Sequence, residues 1–353
     1  MTSEPLSAFL IGYSNSGFTN PHEVVWPEPA PDCRMQFTHM GAKYSGFETD
    51  RHRATSCLEE GFRYDHDAHH WLHIGLKQRA VIDRLCISTR WFTGNQVRAV
   101  SVTLVDELSG QRHRVLDRQP LQPDADHEFP VAGLTATECQ VECYYEGGIA
   151  RIHLFGSPAA EQLPSRPNLL EGARISHVSN DHYGNPAMAV AGSRREHHMV
   201  GWESARTGFG ERALFHLEKP AVVQEIVVDT YLHRLNPPLS CHVFGLCEED
   251  ERQVDELMSR APRWKLVLPG GREVIPDDFQ TYMLDQRYLE EGVRQFDVRL
   301  HRPETRWLPL LNWGRLEPDR YHRFRSLSCS QAITHLLYMH YPNGGIHGLK
   351  AFG

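Results

Sequence analysis

"LQPDADHEF" at residues 121–129 returns as "LEPDRYHRF" at residues 316–324, 195 positions further on. Leu, Pro-Asp, His and Phe keep the same offsets. Proline presets the φ of a turn and the Asp side chain caps its own backbone there, so the phrase reads as a turn leading into a strand. Other blocks recur in the same order. "SNSGFTNP" (14–21) matches "SNDHYGNP" (179–186), and "SGFETDR" (45–51) matches "VGWESAR" (200–206). "STRWFTGN" (88–95) matches "DTYLHRLN" (229–236), and "YYEGGIARIHLFG" (144–156) matches "HYPNGGIHGLKAFG" at the end of the chain. Five matched blocks in one order mark a duplicated module.

Each copy reads as β-structure. "HHWLHIGL", "AVIDRLCIST", "VRAVSVTLVD", "TECQVECYY" and "ARIHLFG" are short alternating or β-branched runs in the first copy. "RALFHLE", "AVVQEIVVDTY", "LSCHVFGL" and "ITHLLYMHY" are their counterparts in the second. The expected fold class is all-β, two tandem jelly-roll-like sandwiches of the galactose-binding kind. Their expected extents are residues 1–156 and 169–353, with "SPAAEQLPSRPN" (157–168) as a linker. The copies differ in length at one place. Asn95 and Leu121 are 26 positions apart, whereas Asn236 and Leu316 are 80 apart, an excess of 54. This insertion, at about 247–302, carries two amphipathic helix candidates, "EEDERQVDELMSR" and "YMLDQRYLEEGVRQF", flanking a hairpin, "RWKLVLPGGREVIPDDF". An insertion of that size serves as a lid, a homo-oligomer contact or peripheral decoration.

Composition narrows the function. With 353 residues and a net charge of −8, the chain lacks the concentrated Lys and Arg of a nucleic-acid binder. No run approaches the length of a membrane span, and the first residues do not read as a signal peptide. Eight scattered cysteines without a CxxC pair suggest reduced thiols and a cytoplasmic location. Neither a GxSxG elbow nor a phosphate-binding loop is present. Histidine is abundant, 22 in all, with a cluster in "DHDAHHWLH". There His66, Asp67, His69 and His70 offer an N/O ligand set for a divalent metal, manganese or zinc; the alternative is a polar surface loop.

The blocks together resemble the allantoicase family. Phrases of the type GWETRR, D-T-x-x-F-x-G-N and PDGGVARLRLWG are similar to "GFETDR" and "GWESAR", to "STRWFTGN", and to the two closing phrases. The resemblance implies a tandem jelly roll that hydrolyses allantoate to ureidoglycolate and urea in purine catabolism. This chain departs from the family at several carboxylates. Asn15 and Asn180 replace Asp in the S-D block, and Ser45 and Val200 replace the Asp before the GWET phrase. Ser88–Thr89 replaces D-T in copy one, although Asp229–Thr230 keeps it in copy two. The HDW phrase becomes His69–His70–Trp71.

A small ureido substrate with a carboxylate needs a cation, polar partners and an acid–base pair. Arg51 and Arg206, at equivalent places, are the carboxylate candidates, or else ordinary ion pairs. Glu48 and Glu203 follow Phe47 and Trp202, a setting that raises a carboxyl pKa and suits a general acid; structural carboxylates are the alternative. His127 and His322 in the repeated phrase are candidate bases or metal ligands, or else close a turn onto the sheet. Among residues of the family pattern, His69 and Asp229 extend the acid–base set, and Asn95, Thr230 and Trp202 the substrate-binding one. Because each copy retains a different part of the pattern, one complete site is expected rather than two. Two other readings remain: a hydrolase of another ureido or guanidino acid, and a non-catalytic ligand-binding jelly roll.

Overall fold

The structure is a computed structural model that describes residues 4–39, 41–163, 166–192, 194, 201–206, 210–274 and 285–353. The chain divides into two compact units, Met1–Pro164 and Ser165–Gly353. Both are built from antiparallel strands.

In the first unit a 19-residue strand, His70–Ser88, pairs along one edge with another, Asp126–Tyr144. Its other edge takes Ala8–Tyr13 along the first half and Arg151–Pro158 along the second. Ala99–Asp106 and Gln111–Pro120 extend the sheet. "HHWLHIGL" and "AVIDRLCIST", expected as separate strands, are therefore one. Register shifts in the partner between Pro130 and Leu134 and between Ala136 and Glu138 accommodate this pairing; such bulges bend a strand without ending it. The second unit breaks the same path. Glu211–Ala221 and Glu225–Asp229 are separate strands, as are Tyr321–Phe324 and Ile333–Tyr341. They belong to a five-stranded and a three-stranded sheet. Each unit has its own core, centred on Ile74, Ile87, Val102 and Val141 in the first and on Trp202, Phe215, Val228 and Tyr338 in the second.

The matched Asn-Pro pairs explain two short helical turns. Asn20 and Asn185 cap them through side-chain oxygens, and Pro21 and Pro186 occupy the first turn, where a missing N–H costs nothing. Helix Pro186–Ala191 thus lies outside the insertion, which carries both helix candidates read from the sequence. Within the insertion, helix Glu251–Ser259 presses Val254, Leu257 and Met258 onto Leu214, Phe244 and Leu337 of the sandwich. Each buried side chain of this size contributes about 1.5–3 kcal/mol. The second helix candidate shrinks to one turn, Arg287–Glu290, and residues 282–284 of it lie outside the described residues. The expected hairpin becomes a three-stranded sheet, Glu273–Val274, Arg263–Val267 and Asp297–His301; residues 275–279 again fall outside the description. Residues expected as a linker are anchored locally: Pro158 ends a strand, Arg166 pairs with buried Glu225, and Asn168 Oδ1 accepts the Ala351 amide at 3.0 Å. Among the described residues no helix is long and apolar enough to cross a membrane.

Burial of histidines makes the fold acid-sensitive. Desolvation lowers the pKa of His70 and His242 to about 4, and that of His340 to about 3. Among the described residues neither ring nitrogen of His340 has a hydrogen-bond partner. The unfolded chain binds protons at the ordinary histidine value of about 6.5, so these groups lend their stability above pH ~6.5 and lose it as pH falls toward 3. Urea unfolding midpoints should therefore drop between pH 6.5 and 4, and His340→Phe should flatten that drop.

Candidate active site

The repeated phrase builds the same loop clamp in both units. His127 Nδ1 donates to the Ile87 carbonyl at 3.0 Å, and its Nε2 accepts the Gln122 amide at 2.8 Å. His322 makes the same pair with Val228 and Glu317, at 3.0 and 2.9 Å. Both ring nitrogens are thus committed to backbone, and burial lowers the His322 pKa to about 4. This geometry corrects the assignment of His127 and His322 as bases or metal ligands: they close a turn onto the sheet. Alanine at His322 should cost about 1–3 kcal/mol, the usual penalty for orphaned buried partners, and alanine at His127 less, because its Gln122 partner is exposed. Denaturation would show it, while turnover by the His127→Ala protein should stay near wild type.

Thr89 and Thr230 join the clamp. Their hydroxyls donate to the Gln122 and Glu317 carbonyls at 2.7 and 2.6 Å. Thr230 is fully buried, which removes it from the substrate-binding set. Asp124 and Asp319, the Asp of each Pro-Asp, accept the amides of Trp91 and Leu232 at 2.9 and 3.0 Å. Trp91 and Leu232 adopt φ of 72° and 67°, a costly conformation for bulky side chains. Each clamp therefore holds a strained residue, and the ring of the residue that follows it is delivered to a defined place. That ring is Phe92 in the first unit and His233 in the second.

Both rings lie on a glycine. A Cβ on Gly148 would sit 2.0 Å from Phe92, and one on Gly345 would sit 2.0 Å from His233, so only glycine admits them. Beside each ring stands the paired carboxylate. Asn95 Nδ2 donates to Glu48 Oε1 at 3.1 Å, and Asn236 Nδ2 donates to Glu203 Oε1 at 2.7 Å. The similarity ends there. In the first unit Phe92 stacks on Tyr44, and Glu48 is buried and bound by Arg51 at 3.0 Å. Burial raises the Glu48 carboxyl pKa, against lowering by Asn95 and Arg51. In the second unit Glu203 borders two pockets of about 280 and about 480 Å³. Tyr183, Tyr231, His233 and His347 line the first; His182 and Arg206 line the second. Burial lowers the His233 pKa, while the Glu203 charge and a hydrogen bond with Asn236 oppose the shift. Among the described residues His347 Nε2 has no hydrogen-bond partner. Chemically, this is a neutral base with a carboxylate behind it and a guanidinium nearby.

The family model of the allantoicase repeat matches residues 1–159 and 168–295. The chain belongs to the allantoicase family. Among its relatives, the probable allantoicase of Pseudomonas aeruginosa is 26% identical over 94% of this chain and 86% of its own length. The probable allantoicase 1 of Burkholderia mallei is 23% identical over 99% and 92%. The allantoicase of Saccharomyces cerevisiae is 26% identical over 70% and 75%.

Several residues marked by the allantoicase pattern turn out to be scaffold. Trp202 is fully buried in the core and donates its indole N–H to the Asn180 carbonyl at 2.6 Å; it does not line either pocket. Asn180, in place of the allantoicase Asp, accepts the Ala205 amide at 3.1 Å. Asp229 is committed to a buried ion pair. Arg194 grips both its oxygens at 2.7 Å, with its guanidinium over the Tyr231 and Tyr321 rings. Burial would lower the Arg194 pKa, but Asp229 outweighs it and leaves it raised. Val200, noted as a departure, lies outside the described residues.

Among the described residues, the ligand atoms of His66, Asp67, His69 and His70 do not converge on one point, and each side chain is engaged elsewhere. His69 precedes the strand that His70 opens, and His70 is buried whereas His69 is not. His69 Nδ1 lies 2.8 Å from the Asp67 carbonyl, His70 Nδ1 lies 3.1 Å from Ser14 Oγ, Asp67 pairs with Arg118, and His66 packs on Tyr64. His69 also packs against Tyr144 rather than against either pocket. Sequence reading missed His233, His347, Tyr183 and Tyr231. A signal existed: His233 and His347 stand where copy one has Phe92 and Ala150. Arg194 has no counterpart in the matched blocks and could not have been found that way.

Proposed function

We propose that the chain hydrolyses allantoate to ureidoglycolate and urea, and that the reaction runs in the second unit. One observation carries the placement: at a position built identically in both units, the first has Phe92 and the second His233. A phenyl ring cannot move a proton, whereas a neutral imidazole can.

His233 takes a proton from water as the water oxygen bonds to the central carbon of allantoate. The bond from that carbon to one ureido nitrogen breaks, its electron pair staying on nitrogen. His233 then returns the proton to that nitrogen, and urea leaves. Glu203, through Asn236, stabilises the imidazolium between these steps, the role of a carboxylate behind a catalytic histidine. Arg206 receives the substrate carboxylate. Arg206→Ala should raise KM by roughly tenfold with little change in kcat, because the carboxylate is held equally in ground and transition states.

Urea release from allantoate by the purified protein is the direct test. His233→Phe, which copies the first unit, should abolish most of it. Wild-type protein that released no urea would overturn the substrate assignment, and another ureido or guanidino acid would then be the substrate to try.

A further inference from the structure

Away from the pockets, a second histidine cluster joins the sandwich to the insertion. His216 and His335 are direct cross-strand partners on Glu211–Ala221 and Ile333–Tyr341. Both are largely buried, and their Nδ1 and Nε2 atoms are 2.9 Å apart. Glu251, the first residue of the insertion helix, places Oε1 3.3 Å from His216 Nδ1. All three ligand atoms lie within 4.8 Å of one another. A tetrahedral ion with bonds of ~2.0–2.1 Å separates its ligand atoms by roughly 3.4 Å, so small shifts bring these three to ligand spacing.

The outer contacts favour the same conclusion. His216 Nε2 meets Ser176 Oγ at 2.7 Å, and His335 Nδ1 meets Thr334 Oγ1 at 2.8 Å. The remote ring nitrogen of each histidine is thus held, the arrangement that orients metal-binding imidazoles. A cation already stands at the site. Arg174 lies 2.7 Å from His216 Nδ1 and 2.6 Å from Glu251 Oε2. Its side chain is 57% exposed and can swing out. His177 and Asp255, 3.5 Å apart, flank the cluster.

We propose that His216, His335 and Glu251 form a zinc site that straps the insertion helix to the sandwich, Arg174 competing with the ion for the same ligands. Two imidazoles and one carboxylate suit zinc and leave a fourth position for water.

The test uses full-length, untagged protein stripped with chelator and titrated with zinc against a chromophoric competitor. Cobalt serves as a spectroscopic probe. One equivalent of zinc should bind, with a tetrahedral cobalt spectrum. His335→Ala and Glu251→Gln should each weaken zinc by at least about 100-fold, more than the loss of an outer-sphere partner alone. Glu251 is exposed, so its variant keeps the fold if His335→Ala does not. Arg174→Ala should tighten zinc by roughly tenfold, since removing a competing cation frees both ligands. Less than one equivalent in the wild type, or uptake unchanged in the Glu251 and His335 variants, would refute the site.

Discussion

Glu203→Gln lowers turnover of allantoate by about 10²- to 10⁴-fold, the range for loss of a group that serves proton transfer, and Glu48→Gln leaves it within a fewfold. The two residues occupy matched positions and accept the same asparagine hydrogen bond. What differs is the neighbour. Glu203 faces an imidazole whose protonation its charge favours, whereas Glu48 is bound by an arginine and the residue matching His233 in its unit is Phe92. Glutamine keeps the volume and can still accept from Asn236, so the effect should fall on kcat and leave the folded structure intact. Steady-state kinetics on both variants decide the matter: equal losses would remove the assignment of the reaction to the second unit.

Asp229→Ala costs the second unit about 3–5 kcal/mol, the penalty for stranding one member of a buried ion pair. Arg194 would then keep its charge in a site where its side chain is 7% exposed, having lost the carboxylate that offsets it most strongly. Asp229 Oδ1 also accepts the Tyr231 amide at 3.0 Å, so the loop leading to His233 loosens in the same variant. Replacing both members with apolar residues of similar volume, Arg194→Met with Asp229→Leu, should recover most of the loss. Chemical denaturation of the single and double variants measures this. A single variant as stable as the wild type would show that the pair holds nothing together.

The duplication, the strand runs and the helix at Glu251–Ser259 were legible because they are local patterns. Alternation of apolar residues, an amphipathic helix face and a Pro-Asp turn each act over a few residues. Strand Gln111–Pro120 was not legible: its "QRHRVLDRQP" is an edge with charged side chains toward water, so no apolar alternation marks it. The single 19-residue strand at His70–Ser88 was read as two because bulges in a distant partner let one strand continue.

By itself the sequence determined that one module is written twice, that the module is β, and that Glu48 and Glu203, or His127 and His322, occupy equal places. Tertiary structure decided what those equal places do. A histidine that looked like a base spends both nitrogens on carbonyl and amide groups some 5 to 94 positions away, and a tryptophan that looked like a binding surface is core. Proton transfer requires a free nitrogen, a partner charge and room for substrate at one point. Those are properties of groups brought together across the chain, and only folding supplies them.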